Sequence, residues 1–335
     1  MLTFPDLYDI GTSHLGLKIL YSILNGLHNV SCERAFAPWV DFEKELRVRG
    51  ACLCSLESQQ PLSSFDVVGF TLQHEMLYSN VINMLDLGGI PLHSRDRAEK
   101  DPLILAGGPC AVNPEPLADF IDAFVIGDGE TAVVTLSETL LQCKADALDR
   151  KATLDRLARI PGVYVPQFYE PVWNADGTLS ELAPVDPAYP NRVKSLKCTL
   201  RGLPYPVEQV IPLVDSVHDR ASIEIRRGCT RSCRFCQAGY ISRPIRERDP
   251  DEIAYLSKKT LENTGFDEVS LMSLSSGDYS QILPLLNVLQ SELQSVRGHV
   301  VVPSLRLDRV PESFLNGLSS VKQTSLTFAP EAGSS

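Results

Sequence analysis

Three cysteines fall within one short run, Cys229-Thr230-Arg231-Ser232-Cys233-Arg234-Phe235-Cys236. A C-x3-C-x2-C spacing on a single loop can offer three thiolates to three irons of a 4Fe-4S cube. The fourth iron is then left open to an outside ligand. Arg226, Arg227, Arg231 and Arg234 surround the run and would offset the negative charge of thiolates and sulfides. Two other readings stay open. A structural zinc site usually takes four ligands, often as two C-x2-C pairs, and the nearest fourth ligand here, His218, is poorly spaced. Free cysteines gathered in a core by chance are the other.

The charge pattern adds to this. Residues 220–248 hold eight arginines against Glu224 and Glu247, a net charge of +6, which suggests an anionic ligand near 226–248. Residues 220–335 carry 14 basic and 13 acidic side chains, and residues 1–219 carry 17 and 29, a net of −12. So acidic a first part argues against a broad nucleic-acid footprint. The 335 residues carry a formal charge of −11, with 44% hydrophobic and 22% charged side chains. Such a chain can bury a core and is not disordered as a whole. No stretch approaches the ~18–20 apolar residues a membrane helix needs. The opening Met1-Leu2-Thr3-Phe4-Pro5-Asp6 lacks the order of a secretory leader, and nine cysteines are an odd number for disulfide staples. A cytoplasmic, thiol-reduced setting is therefore expected.

The elements that would position the cysteines read as alternating strands and helices. After residue 220 the expected strands are 222–225, 268–274, 299–304 and 324–329. Expected helices at 251–263, 279–296 and 312–318 separate them, and the cysteine run follows the first strand. Over 1–140 the same rhythm recurs. Helices are expected around Leu15–Leu24 and Leu77–Leu85, and strands at 66–72 and 103–106, with another at 123–126 and a short one at 90–92. Buried strands alternating with helices imply a parallel sheet covered on both faces, with ligands at the strands' carboxyl ends. Cys52 and Cys54 are expected to lie in the core along a strand. Residues 141–215 read as a proline-rich connector with a small β-hairpin turning at Asn174-Ala175-Asp176-Gly177. The expected organisation is thus α/β: a Rossmann-like, flavodoxin-like domain at 1–140, a linker at 141–215, and a partial, incomplete TIM-type barrel at 216–335. The barrel would stop after about four β-α units, so the chain reads as a fragment of a longer protein.

The cysteine run resembles that of the radical S-adenosylmethionine (SAM) superfamily, in which an aromatic residue precedes the last cysteine, as Phe235 does here. The resemblance implies that Cys229, Cys233 and Cys236 hold a 4Fe-4S cluster. Its open iron would bind SAM and cleave it reductively to a 5′-deoxyadenosyl radical. It further implies SAM contacts from Phe235 and from the turn Ser275-Ser276-Gly277-Asp278, where relatives carry a Gly-Gly-Glu-like turn. Ser304, Arg306 and Asp308 after the third strand, and Glu331 after the fourth, complete that set. Ordinary readings stand beside these: Asp278 as a helix cap, Arg306 and Asp308 as a surface salt bridge, and Glu331 as a loop acid.

More specifically, the chain resembles radical SAM proteins of unknown substrate that carry a cobalamin-binding domain. The likeness rests on Phe4-Pro5-Asp6-Leu7-Tyr8-Asp9-Ile10-Gly11, Gly69-Phe70-Thr71-Leu72-Gln73, Ala106-Gly107-Gly108-Pro109 and Gly127-Asp128-Gly129-Glu130. Arg226-Arg227-Gly228-Cys229 and Arg243-Pro244-Ile245-Arg246-Glu247-Arg248 add to it. Should cobalamin bind, the resemblance places it near His14, Gly16, Thr71, Leu72, Gly107, Gly108 and Gly127. The spacing of Asp9 and Ser13-His14-Leu15-Gly16 departs from the Asp-x-His-x-x-Gly pattern of a cobalt-ligating histidine, and a capping role for His14 competes. With cobalamin, methyl transfer is the natural reaction. Without it, sulfur insertion or rearrangement is the rival, and a non-enzymatic metal-binding scaffold is the third reading. A reductant such as flavodoxin or ferredoxin is the implied partner. Cys32, Cys52, Cys54, Cys110, Cys143 and Cys198 offer no convincing trio for the second cluster of a methylthiotransferase.

Overall fold

Apolar runs separated by amphipathic segments build two α/β units, Met1–Cys198 and Thr199–Ser335. The computed structural model describes residues 1–212, 214, 216–303, 305–309 and 327–329.

The first unit contains β1 (Leu2–Phe4), α1 (Tyr8–Gly11), α2 (Leu15–Asn25), β2 (Arg34–Phe36), α3 (Val40–Arg49), β3 (Val67–Thr71) and α4 (Tyr78–Leu87). There follow β4 (Leu103–Gly107), β5 (Ala123–Val125), α5 (Gly129–Ala145), α6 (Arg150–Ala158), β6 (Val163–Tyr164), β7 (Tyr169–Trp173) and β8 (Leu179–Pro184). Six strands form one sheet in the order β2-β1-β3-β4-β5-β6. Every neighbouring pair is parallel except β5 with β6. The period of two along β4 explains how both faces are covered. Ile104 and Ala106 join a core with Val68, Phe70, Leu85 and Phe124, while Leu103 and Leu105 join a second core with Leu136, Leu154 and Leu157. Each buried Val, Leu, Ile or Phe among them contributes about 1.5–3 kcal/mol.

Several expectations change here. Residues 90–92 form no strand; Ile90 instead closes the turn after α4, its N–H donating to the Leu85 carbonyl. Cys52 and Cys54 lie outside regular strands. β3 is already flanked by β1 and β4, so 51–61 runs past the sheet, leaving Cys52 exposed and Cys54 in an isolated bridge to Pro61. The expected hairpin forms as β7–β8, with Pro171 in a two-stranded ribbon where every strand is an edge. The segment read as a connector also holds α6 and β6, and β6 closes the sheet edge. The first unit therefore runs to Cys198, because Leu154, Leu157 and Val163 supply apolar cover that the sheet needs.

The second unit contains β9 (Ala221–Glu224), β10 (Arg226–Arg227), α7 (Ala238–Ile241), β11 (Arg246–Glu247), α8 (Pro250–Thr264) and β12 (Glu268–Met272). α9 (Ile282–Gln294), β13 (His299–Val301), β14 (Leu305–Arg306) and β15 (Phe328–Ala329) follow. β9, β12 and β13 form a parallel sheet in the order β13-β12-β9, and β14 pairs in parallel with β15. β10 and β11 make a short antiparallel ladder. α8 starts at Pro250, where the Asp249 side chain accepts from the Asp251 N–H, and ends at Gly265 with φ +77°. Ile253, Leu256, Leu285 and Leu289 pack against Ile223, Leu271 and Val300. The helix expected from Tyr279 begins at Ile282, after a 3-10 turn over Ser276–Asp278, so Asp278 does not cap it. The expected strands 268–274 and 299–304 end early, at Met272 and Val301. The helix expected at 312–318 lies outside the described residues, as does the first part of the strand expected at 324–329.

Candidate functional site

The cysteine loop follows β9 and β10 and is held tightly from outside. Gly228 has φ +91°, and a Cβ there would lie 2.8 Å from the Pro244 carbonyl and 2.9 Å from that of Ser242. Only glycine takes that backbone at that distance without strain. Arg243 braces the loop, with Nε donating to the Cys229 carbonyl at 3.2 Å and Nη2 to Ser232 Oγ at 3.1 Å. Cys229 is buried, Cys233 and Cys236 are half-buried, and none of the three is in a disulfide.

Among the described residues, N–H donors point at two of these sulfurs. The Arg231 backbone N–H donates to Cys229 Sγ at 3.3 Å, and Arg306 Nη1 to Cys233 Sγ at 3.6 Å. The same two arginines tie the loop to both turns beyond it. Arg231 grips Asp278 with Nε at 2.8 Å and Nη2 at 2.5 Å, and its Nη1 lies 3.6 Å from Asp308. Arg306 Nε donates to Asp308 Oδ1 at 2.9 Å. Ser275 Oγ adds a bond to Asp278 Oδ2 at 2.9 Å. The Arg231 guanidinium holds the Asp278 carboxyl below the usual carboxylate range, and Arg306 does the same for Asp308.

Much of the arginine-rich segment is paired within the chain. Arg226 pairs with Glu247, Arg227 with Glu224, and Arg248 with Glu252 and the Glu224 carbonyl. Arg246 donates to the Pro244 and Ser242 carbonyls. Arg234 is exposed.

Of the residues the resemblance gives to SAM, Ser275, Ser276, Gly277, Asp278 and Arg306 come to the ends of β12 and β14. Ser276 is fully buried, its hydroxyl bonded to the Leu271 carbonyl at 3.2 Å. Phe235 is 73% exposed. Ser304 and Glu331 lie outside the described residues. The pairings of Arg231 escape sequence reading, since Asp278 is 47 positions away and no short pattern links them. Opposite charges just beyond two strand ends were the only signal.

In the first unit Thr71 and Gly107 are register partners at the ends of β3 and β4. Leu72 and Gly108 follow them, and Gly127 follows β5. Several of them also make contacts within the chain. His14 caps α2, its Nδ1 accepting from the Leu17 N–H at 3.1 Å, and its ring leaves no room for a Cβ on Gly16. Burial pushes its pKa down. A Cβ on Gly108 would lie 2.7 Å from the Leu72 carbonyl, and one on Gly127 2.3 Å from that of Leu196. Thr71 Oγ1 accepts from Gln73 at 2.5 Å.

Three thiols on one loop, met by N–H donors, suit a cluster. Among the described residues no three His, Cys, Asp or Glu side chains converge as a single metal ion would demand. A cube spreads its thiolates over separate irons and makes no such demand.

The chain resembles known proteins. The family model described as radical SAM proteins, N-terminal, matches residues 16–166, and that of the radical SAM superfamily matches residues 223–335. Uncharacterized protein MJ0966 of Methanocaldococcus jannaschii is 30% identical over 282 residues, covering 83% of this chain and 52% of its own. This chain therefore spans about half the length of that relative. Threonylcarbamoyladenosine tRNA methylthiotransferase MtaB of Bacillus subtilis is 25% identical over 105 residues, 30% of this chain and 23% of that protein. Among solved structures, the radical SAM methyltransferase TsrM of Kitasatospora setae, with cobalamin and a [4Fe-4S] cluster bound, superposes with a TM-score of 0.62. Its identity is 14%, and the match covers 98% of this chain and 58% of TsrM. At that identity the likeness shows a shared mixed α/β fold. Together with the cysteine loop, the two family models establish that the chain belongs to the radical SAM superfamily.

Proposed function

We propose that this chain is the cofactor-binding part of a radical SAM enzyme, with a 4Fe-4S cluster on Cys229, Cys233 and Cys236 and SAM bound beside it. The observation that carries the reading is the tie between the cysteine loop and the turns after β12 and β14, made by Arg231 and Arg306. Such a cluster, when bound and reduced, supplies the electron that parts the sulfur–C5′ bond of SAM. The chain's own residues do the rest. Gly228 and Arg243 fix the loop, Arg231 orients Asp278, and the turn Ser275–Asp278 lies where the amino group of SAM would be held. An outside reductant of flavodoxin or ferredoxin type would feed the electron.

The finer architecture belongs to the same proposal. The strand order β2-β1-β3-β4-β5 is that of a flavodoxin-like, Rossmann-type sheet. The β9, β12, β13 series with α8 and α9 reads as the start of a partial barrel. The likeness to TsrM supports cobalamin as a second cofactor and methyl transfer as the reaction. Several residues first singled out for cobalamin, His14, Thr71, Gly108 and Gly127 among them, also serve the fold.

The test is anaerobic reconstitution with iron and sulfide, then dithionite and SAM, with and without cobalamin. Iron and sulfide in equal amounts, absorbance near 400 nm and 5′-deoxyadenosine formation are expected. The triple change of Cys229, Cys233 and Cys236 to alanine removes all three. Zinc without iron in the unaltered chain would sink the reading.

A further inference from the structure

Arg306 stands at the end of β14, where the resemblance expects a SAM contact, yet its donors face the chain itself. Nη1 is 3.6 Å from Cys233 Sγ, while Nε bonds Asp308 at 2.9 Å and Nη2 lies 3.4 Å from the other oxygen of that carboxylate. Asp308 is also 3.6 Å from Arg231 Nη1, so its carboxylate lies between two guanidinium groups. A guanidinium is a rigid planar fork, and fixing one edge fixes the direction of the remaining donor. Asp308 therefore aims Arg306 at the sulfur.

We infer that Arg306 is a positioning residue that donates an N–H to the Cys233 thiolate and sets the reduction potential of the cluster, with Asp308 holding it in place. The inference rests on the reading that these cysteines hold a cluster. Reduction adds one electron, delivered by the external reductant, and makes the cluster more negative. A cation and an N–H at a ligating sulfur stabilise that state, and hydrogen bonds to sulfur are a principal control of cluster potential. The Arg231 amide acts on Cys229 in the same sense but belongs to the backbone. Arg306 donates from its side chain, which substitution can remove.

The experiment uses the full chain, reconstituted anaerobically and titrated with dithionite and redox mediators, without SAM. Electron paramagnetic resonance reads the reduced fraction. In Arg306→Met the ratio of reduced to oxidised cluster, at the unaltered chain's midpoint, falls about tenfold, or ~59 mV for one electron. Arg306→Lys keeps the charge without the fork, Arg306→Gln keeps an N–H without the charge, and both fall between. An Arg306→Met protein with full iron and an unmoved midpoint overturns the assignment. If that variant holds no iron, the Lys and Gln variants carry the test. Iron loss from all three makes Arg306 a structural brace and also overturns it. An unaltered chain that holds no iron defeats the underlying reading, a result distinct from these.

Discussion

Arg231 and Asp278, 47 positions apart in sequence, meet in a two-pronged ion pair at 2.8 and 2.5 Å that fastens the cysteine loop to the turn after β12. Asp278 keeps only 11% of its side chain exposed, so the pair is largely shielded from solvent. Removing one partner leaves the other poorly solvated.

The first expectation follows directly. Arg231→Met destabilises the second unit by about 1–3 kcal/mol, the cost of an unsatisfied, half-buried charged group. Arg231→Met combined with Asp278→Asn costs less than the two single changes summed. Urea denaturation of the four proteins measures this, and strict additivity would mean the pair is energetically idle.

Acid should weaken the same contact. Arg231 depresses the Asp278 carboxyl and Arg306 depresses that of Asp308. A carboxyl lowered in the folded state contributes stability above its unfolded value of ~3.9. That contribution is lost as pH falls through the lower, folded value. Asp278→Asn lacks it at every pH. The gap in urea midpoint between the unaltered chain and Asp278→Asn is therefore full at pH 5–7 (about one to three units above ~3.9) and narrows as pH falls below ~3.9 through the depressed, folded value. A constant gap would contradict the assignment.

Gly228 and Gly177 make a controlled comparison. Both have positive φ, but a Cβ on Gly177 meets nothing within 4 Å, whereas one on Gly228 meets two carbonyls within 3 Å. Gly177→Ala therefore costs only backbone strain, about 1–2 kcal/mol. Gly228→Ala costs more and displaces Cys229, lowering the iron retained after reconstitution. Thermal midpoints and iron content read the two effects, and equal costs would deny the loop its close packing.

His14 provides a test in the first unit. Burial lowers its folded pKa, so below the unfolded value of ~6.5 the unfolded chain takes up a proton first and stability falls with pH. His14→Asn keeps a capping side chain and removes that titration, so its thermal midpoint stays flatter from about pH 6.5 downward. Hydroxocobalamin mixed with either protein should give the same visible spectrum. A band that depends on His14 would restore the residue as a cobalt ligand.

Much of the scaffold can be read from local pattern. Continuous apolar runs such as Leu103–Ala106 mark buried parallel strands, and the spacing of Leu15, Leu17 and Ile19 marks α2. Short edge elements carry weaker signals. β2 and β6 are three and two residues long, and α3 is mostly charged with only Leu46 buried, so pattern alone does not separate them from loops.

By itself the sequence determined the cysteine spacing, the glycines that let the loop turn, and the alternation that builds a parallel sheet, because these depend on neighbours within a few positions. The tertiary structure alone decided what the arginines do. Arg231 reaches Asp278, Arg306 reaches Cys233 and Asp308, and Arg243 reaches the Cys229 carbonyl. Most of those partners are distant in sequence, and a guanidinium carries the same charge whether it awaits an anion or already holds one. Only folding, which brings strand ends together, selects between them.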